Sequence, residues 1–143
     1  LLALDSTDLG AFAARLRLSN AQGDRLKTIA ENGSLVQPTL SDAERAALLY
    51  RVGAGEICDA ALIGWAGADS DEGWSALVAD SDNWQPKKLL VGGGDVMSLG
   101  VPNGPKVGGV LRAIEDWWID GGFSADRESC LRQLRKLVDQ MPN

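Results

Sequence analysis

Histidine is missing from all 143 residues, and that absence removes whole classes of chemistry. General acid-base work near neutral pH would fall to carboxylates or a perturbed lysine, while histidine phosphohydrolase, Ser-His and Cys-His nucleophile mechanisms are excluded. Cysteine is scarce. Cys58 and Cys130 are too far apart for a CxxC metal site and too few for a disulfide framework, so they read as small buried apolar residues. No apolar run approaches the roughly 18 to 20 residues of a membrane span, and no basic flank and cleavage site suggest a signal peptide. A cytoplasmic protein without membrane contact is therefore expected. Period-two alternation is also lacking, which argues against strands.

What is present is ordinary globular usage, 45% hydrophobic and 24% charged, in a length that fits one domain and one core. The chain begins Leu1-Leu2-Ala3 without an initiator Met, in an apolar segment, and reads as a piece of something longer. Charge is uneven. Residues 1–84 carry six Lys or Arg against thirteen Asp or Glu, and residues 85–143 carry eight against seven. A phosphate-binding surface belongs in the second part, although the net charge of −6 argues against tight autonomous nucleic-acid binding.

Helix punctuation recurs along the chain. Asp8 caps a segment with Leu9, Phe12, Ala13 and Leu16 at helical spacing. Ser19 with Gln22, and Ser41 with Glu44, have capping-box spacing; Gly33 stops the first of these helices, and Gly53 with Gly55 the second. Ile57, Ala60, Ala61, Ile63 and Trp65 mark a further helix ending near Gly67. The acidic stretch 68–82 reads as a short helix around Trp74, Leu77 and Val78. Its Asp69, Asp71 and Glu72 lack the glycine and terminal glutamate of a calcium loop and are expected to serve as first-turn partners of the helix dipole. Residues 85–94 form the clearest linker. Asp95 is expected to cap the turn through Leu99, with RNA contact as the other reading. The longest pattern runs from Lys106 to Ile119, with Val107, Val110, Leu111, Ile114 and Trp118 on one face and Gly121-Gly122 as its stop. Ser124 opens the last helix, with Leu131, Leu134 and Val138 inward and Arg127, Arg132, Arg135 and Lys136 toward solvent. The fold class is all-α, an irregular bundle of about seven helices.

One segment has a more particular pattern. Gly93-Gly94-Asp95-Val96-Met97-Ser98-Leu99-Gly100, followed by Gly104-Pro105-Lys106-Val107-Gly108 and Leu111, resembles the tail domain of class II bacterial tRNA nucleotidyltransferases (CCA-adding enzymes) and poly(A) polymerases. The likeness runs upstream through Trp84 and Pro86 to the junction at Leu16-Arg17-Leu18-Ser19-Asn20, and downstream to Trp117-Trp118 and Gly121-Gly122. It thus covers nearly the whole of residues 1–143 and looks most like the alphaproteobacterial members. Leu90 departs from it, standing where that group often has proline.

The resemblance implies a C-terminal helical domain that grips tRNA. An N-terminal catalytic head, absent from this chain, would bind Mg2+, ATP and CTP and extend the RNA 3′ end. The choice between CCA and poly(A) addition would lie in that head. The only Asp-x-Asp spacings, Asp69 to Asp71 and Asp80 to Asp82, lack a preceding Gly-Ser, so no catalytic residue is assigned and no cofactor is expected in this fragment. DNA is not an expected partner.

Elementary physics gives the motif its own meaning. Gly104 as N-cap and Pro105 at the first helical position leave the N–H groups of Lys106 and Val107 at a helix end with partial positive charge, a phosphate site by construction. Gly108 and Gly109 keep the turn bare. Lys87, Lys88, Gly93 and Arg112 complete the expected RNA-binding set with Gly104, Pro105, Lys106, Val107 and Gly108. The plainer alternative is that Gly104-Pro105 only starts a helix and Gly108 admits a packing neighbour. Trp117 and Trp118 point about 100° apart, so one can be core and the other rim. A protein-protein interaction module using the acidic helix and exposed tryptophans is the rival class; a stand-alone enzyme is the third.

Overall fold

The computed structural model describes residues 10, 11 and 14–141. Among them there is no strand, and the chain is all-α: α1 (Asn20–Asn32), a 3-10 turn (Gly33–Leu35), α2 (Asp42–Val52), α3 (Ala54–Ala66), α4 (Trp74–Asp82), α5 (Gly93–Ser98), α6 (Pro105–Asp120) and α7 (Arg127–Asp139). The helix expected from Asp8 rests on Leu9, Phe12 and Ala13, which lie outside the described residues. Instead of the one core suggested by length, two compact units form, Leu1–Gln85 and Pro86–Asn143. The boundary falls between Gln85 and Pro86, within the segment read as a linker.

In the first unit α3 packs against α1, α2, α4 and the 3-10 turn. Its Ile57, Ala60 and Ala61 are buried with Val36, Leu49 and Leu77. Gly64 permits the close seating of α4, since a Cβ there would lie 2.3 Å from Cη2 of Trp74. Both capping boxes form, at Ser19 with Gln22 and at Ser41 with Glu44. Gly55, expected to end α2, instead lies in the first turn of α3, because Gly53 at φ 122° alone serves as the stop of one helix and the start of the next. Two arginines tie the helices together. Arg25 grips both carboxylate oxygens of Asp59 on α3, with Nη2 2.8 Å from Oδ1. Arg45 donates to the Leu40 carbonyl at 2.8 Å, Asp42 at 2.8 Å and Asp80 at 2.5 Å.

The expected role of Asp69, Asp71 and Glu72 as first-turn partners of α4 is corrected. The helix starts after Gly73, which is left-handed at φ 78°, and no acid occupies its first turn. Asp71 turns back to accept the Trp65 indole N–H at 2.8 Å.

In the second unit α5, α6 and α7 pack pairwise. Val96, Val107, Val110, Ile114, Trp118, Ile119, Cys130 and Leu134 are buried. Of the tryptophan pair, Trp118 is core and Trp117 half-buried. Trp118 meets Phe123 edge-on, ring centroids 5.0 Å apart, after the turn stopped at Gly121. Two expected helix starts move. Asp95 is the third residue of α5 rather than its cap, and its carboxylate reaches back to the Gly92 N–H at 2.8 Å. Asp126, not Ser124, caps α7 by accepting from the Ser129 N–H at 2.8 Å, while the Ser124 hydroxyl donates to the Gly121 carbonyl. The intervening Gly122 and Phe123 are both at positive φ, so a helix cannot run through them.

Candidate functional site

The start of α6 is built by two residues that dictate opposite things. Gly104 adopts φ 153°, outside what a side-chain-bearing residue favours, and Pro105 fixes the first helical φ without needing a donor. Together they turn the chain sharply and expose Gly104, Pro105 and Lys106. Val107, the next residue, points its side chain into the core.

Of the two backbone donors expected at this end, one is already used. The Val107 N–H donates to the Gly104 carbonyl at 3.0 Å, because the helix opens with a tight i to i+3 turn. The expectation that Val107 offers a free N–H to phosphate is therefore corrected, and Lys106 is left as the residue presenting this end. Gly108 and Gly109 are exposed, and a Cβ on either would meet nothing within 4 Å. Within residues 86–143 no helix packs on Gly108, which counts against the alternative that it admits a packing neighbour. Gly93 behaves differently. A Cβ there would lie 3.6 Å from Cγ1 of Val107, an ordinary packing distance, so α5 meets α6 at this position.

Arg112 is exposed six residues beyond Lys106, which places it about 120° around the helix rather than beside it. Its nearer neighbours on the helix surface are Gly108 and Gly109, at spacings of four and three. Lys87 and Lys88 are exposed on the extended run that leads into buried Val91. The structure thus brings together Gly93 and the stretch Gly104 to Arg112, and leaves the lysine pair on a separate segment.

No family model matches the chain, and neither a curated protein nor a solved structure does.

Beside Lys106 lies a hollow of 220 Å³ walled by Leu99, Gly100, Val101, Pro102, Val138 and Met141, which periodicity could not anticipate because it joins three elements. Charge along α6 runs from Lys106 in its first turn and Arg112 at its middle to Glu115, Asp116 and Asp120 in its second half. The helix dipole adds to the positive end, so an anion is drawn to the Lys106 side. The Asp-x-Asp pairs are engaged otherwise. Asp71 holds Trp65 and Asp80 holds Arg45. Among the described residues no group of three or more His, Cys, Asp or Glu is placed to hold a metal.

Arg127 is exposed, as expected, and is engaged as well. Its Nη2 donates to Oδ1 of Asp95 at 2.6 Å and its Nη1 to the Leu90 carbonyl. Asp95 is held below the ordinary carboxylate range, first by the Gly92 N–H and then by Arg127. A signal for this pairing existed in the sequence: Arg127 precedes Leu131, Leu134 and Val138 at spacings of four, seven and eleven, so the exposed arginine stands in line with the apolar stripe at the start of α7.

Proposed function

We propose that this chain is the RNA-holding helical domain of a template-independent nucleotidyltransferase that extends tRNA 3′ ends. A catalytic head outside this sequence would handle Mg2+, ATP and CTP and would decide between CCA and poly(A) addition. The observation carrying the proposal is the start of α6: an exposed Lys106 behind Gly104-Pro105, followed by two glycines whose outer face is open. That geometry admits a sugar-phosphate backbone against a helix without a side chain in the way. Support also comes from the Gly93-to-Gly108 pattern and from the charge division, with the surplus of cations confined to residues 85–143.

The test is tRNA affinity across a salt series. Lys106→Glu weakens binding and lowers the slope of log affinity against log salt by about 1, with helix content unchanged. Gly108→Asp weakens it further, since a carboxylate then stands on the open strip. Glu72→Lys, in the other unit, leaves affinity unchanged or raises it slightly. Wild-type affinity and salt slope in Lys106→Glu would remove the α6 start as the site.

A second reading has an observation of its own. The first unit carries the acidic excess and exposes Leu62 and Ile63 on α3, at 47% and 40%. An acidic surface with exposed aliphatics suits a protein partner better than RNA. Binding of tRNA by residues 86–143 but not by residues 1–85 would separate the two readings.

A further inference from the structure

The α7 residue Arg127 lies far in sequence from the glycine pattern, yet it is the residue that ties that pattern down. We propose that Arg127 is a positioning residue for the start of α6, acting through Asp95 and the Gly92–Gly94 turn. The proposal rests on the RNA reading for its purpose, and on geometry alone for its mechanism.

The chain of contacts is short. The two terminal nitrogens of the Arg127 guanidinium are divided between the Leu90 carbonyl and Oδ1 of Asp95. The second oxygen of Asp95, Oδ2, accepts the Gly92 N–H at 2.8 Å. Each carboxylate oxygen thus has its own partner, and the group cannot rotate without breaking one bond. The segment Leu90 to Asp95 is therefore clamped at its carbonyl, its turn N–H and its side chain. Gly93, within the clamped turn, has its Cβ position 3.6 Å from Val107 Cγ1, and the Val107 N–H donates to Gly104 at 3.0 Å. A displaced Gly92–Gly94 turn would move the surface on which Val107 is seated, and with it the Gly104-Pro105-Lys106 corner. A planar fork divides its donors between two acceptors in fixed directions, which an ammonium does not do. Three glycines in succession have no conformational preference of their own to hold that turn.

The experiment compares Arg127→Gln and Arg127→Lys with Arg132→Gln as control, because Arg132, among the described residues, pairs within α7, with Glu128 and Ser129. Amide resonances of Lys106, Gly108 and Gly109 are recorded in the 143-residue chain, and tRNA affinity is measured alone and in combination with Lys106→Glu. Expected are shifted resonances at these three positions in Arg127→Gln, partial return in Arg127→Lys, and none in Arg132→Gln. Affinity falls about 2- to 30-fold, and the double variant is weakened by less than the product of the two single losses. Asp95→Asn, which keeps an oxygen for the Gly92 N–H, replaces Arg127→Gln if that variant loses helix content. Unmoved resonances, or losses that multiply, overturn the positioning role. Failure of the wild-type chain to bind tRNA removes the RNA reading, while the resonance comparison still decides whether Arg127 sets the α6 start.

Discussion

Replacing Gly108 and Gly109 together by alanine sets stability against function at one place. They are the fourth and fifth residues of α6, exposed, and a methyl on either meets no atom within 4 Å. Each substitution removes backbone freedom from the unfolded chain and adds no clash, a gain of about 0.8 to 1 kcal/mol in a helix interior and somewhat less near its start. The pair is therefore worth about 1 to 2 kcal/mol. Urea denaturation followed by circular dichroism reads it as a raised midpoint at unchanged m. The same two methyls stand on the strip proposed to take the RNA backbone, so tRNA affinity falls while stability rises. A loss of stability would mean that the strip is packed rather than open. A gain in stability with unaltered affinity would mean that its bareness has no part in binding.

Gly73→Ala carries two costs, a left-handed φ of 78° and a Cβ only 2.0 Å from the Pro38 carbonyl oxygen, and is expected to destabilise by about 2 to 5 kcal/mol in urea. Gly100→Ala, at φ 90° with open space around it, should lose only about 1 to 2 kcal/mol, and equal losses would refute the steric part. Three carboxyls are held below their ordinary range: Glu44 by the Ser41 hydroxyl and then its N–H, Asp95 by the Gly92 N–H, and Asp126 by the Ser129 N–H. A folded value lower than the unfolded one stabilises above the unfolded value and is lost as pH falls through the folded one. Stability should be level above about pH 5 and decline below it, less steeply in Asp95→Asn; an unchanged decline in that variant counts against the clamp. Burial, with nearby aspartates, pushes both thiols up, and Cys130 is fully buried while Cys58 is half-buried. A thiol reagent at neutral pH should modify Cys58 first, and earlier reaction of Cys130 would contradict the packing of α6 on α7.

The helix ends that the sequence made legible were those written locally. Ser19 with Gln22 and Ser41 with Glu44 each satisfy donors three residues away, and Pro105 fixes its own φ behind a glycine that permits φ 153°, so these ends are decided within a few residues. Asp95 and Asp126 show where local reading stops. Both are acidic residues near a helix start, and each satisfies a donor three residues away, but in opposite directions: Asp126 from outside its helix and Asp95 from inside. Which arrangement forms depends on where Gly92 and Phe123 turn the chain. The engagement of Arg127 was half legible, since its spacing puts it in line with the apolar stripe of α7, but its partners are 32 and 37 residues away. The division into two units depends on which apolar faces meet, and hydrophobic periodicity records that a face exists without naming its mate.

The corner between α2 and α3 has a consequence for how this fold tolerates change. Gly53 donates its N–H to Leu49 at 3.1 Å, closing one ladder, and its carbonyl accepts the Ile57 N–H at 3.1 Å, opening the next. One residue thus does what a loop of several does elsewhere, and the joint has no slack. A single inserted residue that was absorbed into α3 would turn it by about 100°, carrying Ile57, Ala60 and Ala61 off the face they share with Leu49 and Leu77. Length at this corner is counted in whole residues with none to spare, whereas the exposed run from Gln85 to Lys88 belongs to no helix and precedes the clamped Leu90–Asp95 segment, so a residue gained or lost there alters the phase of no helix.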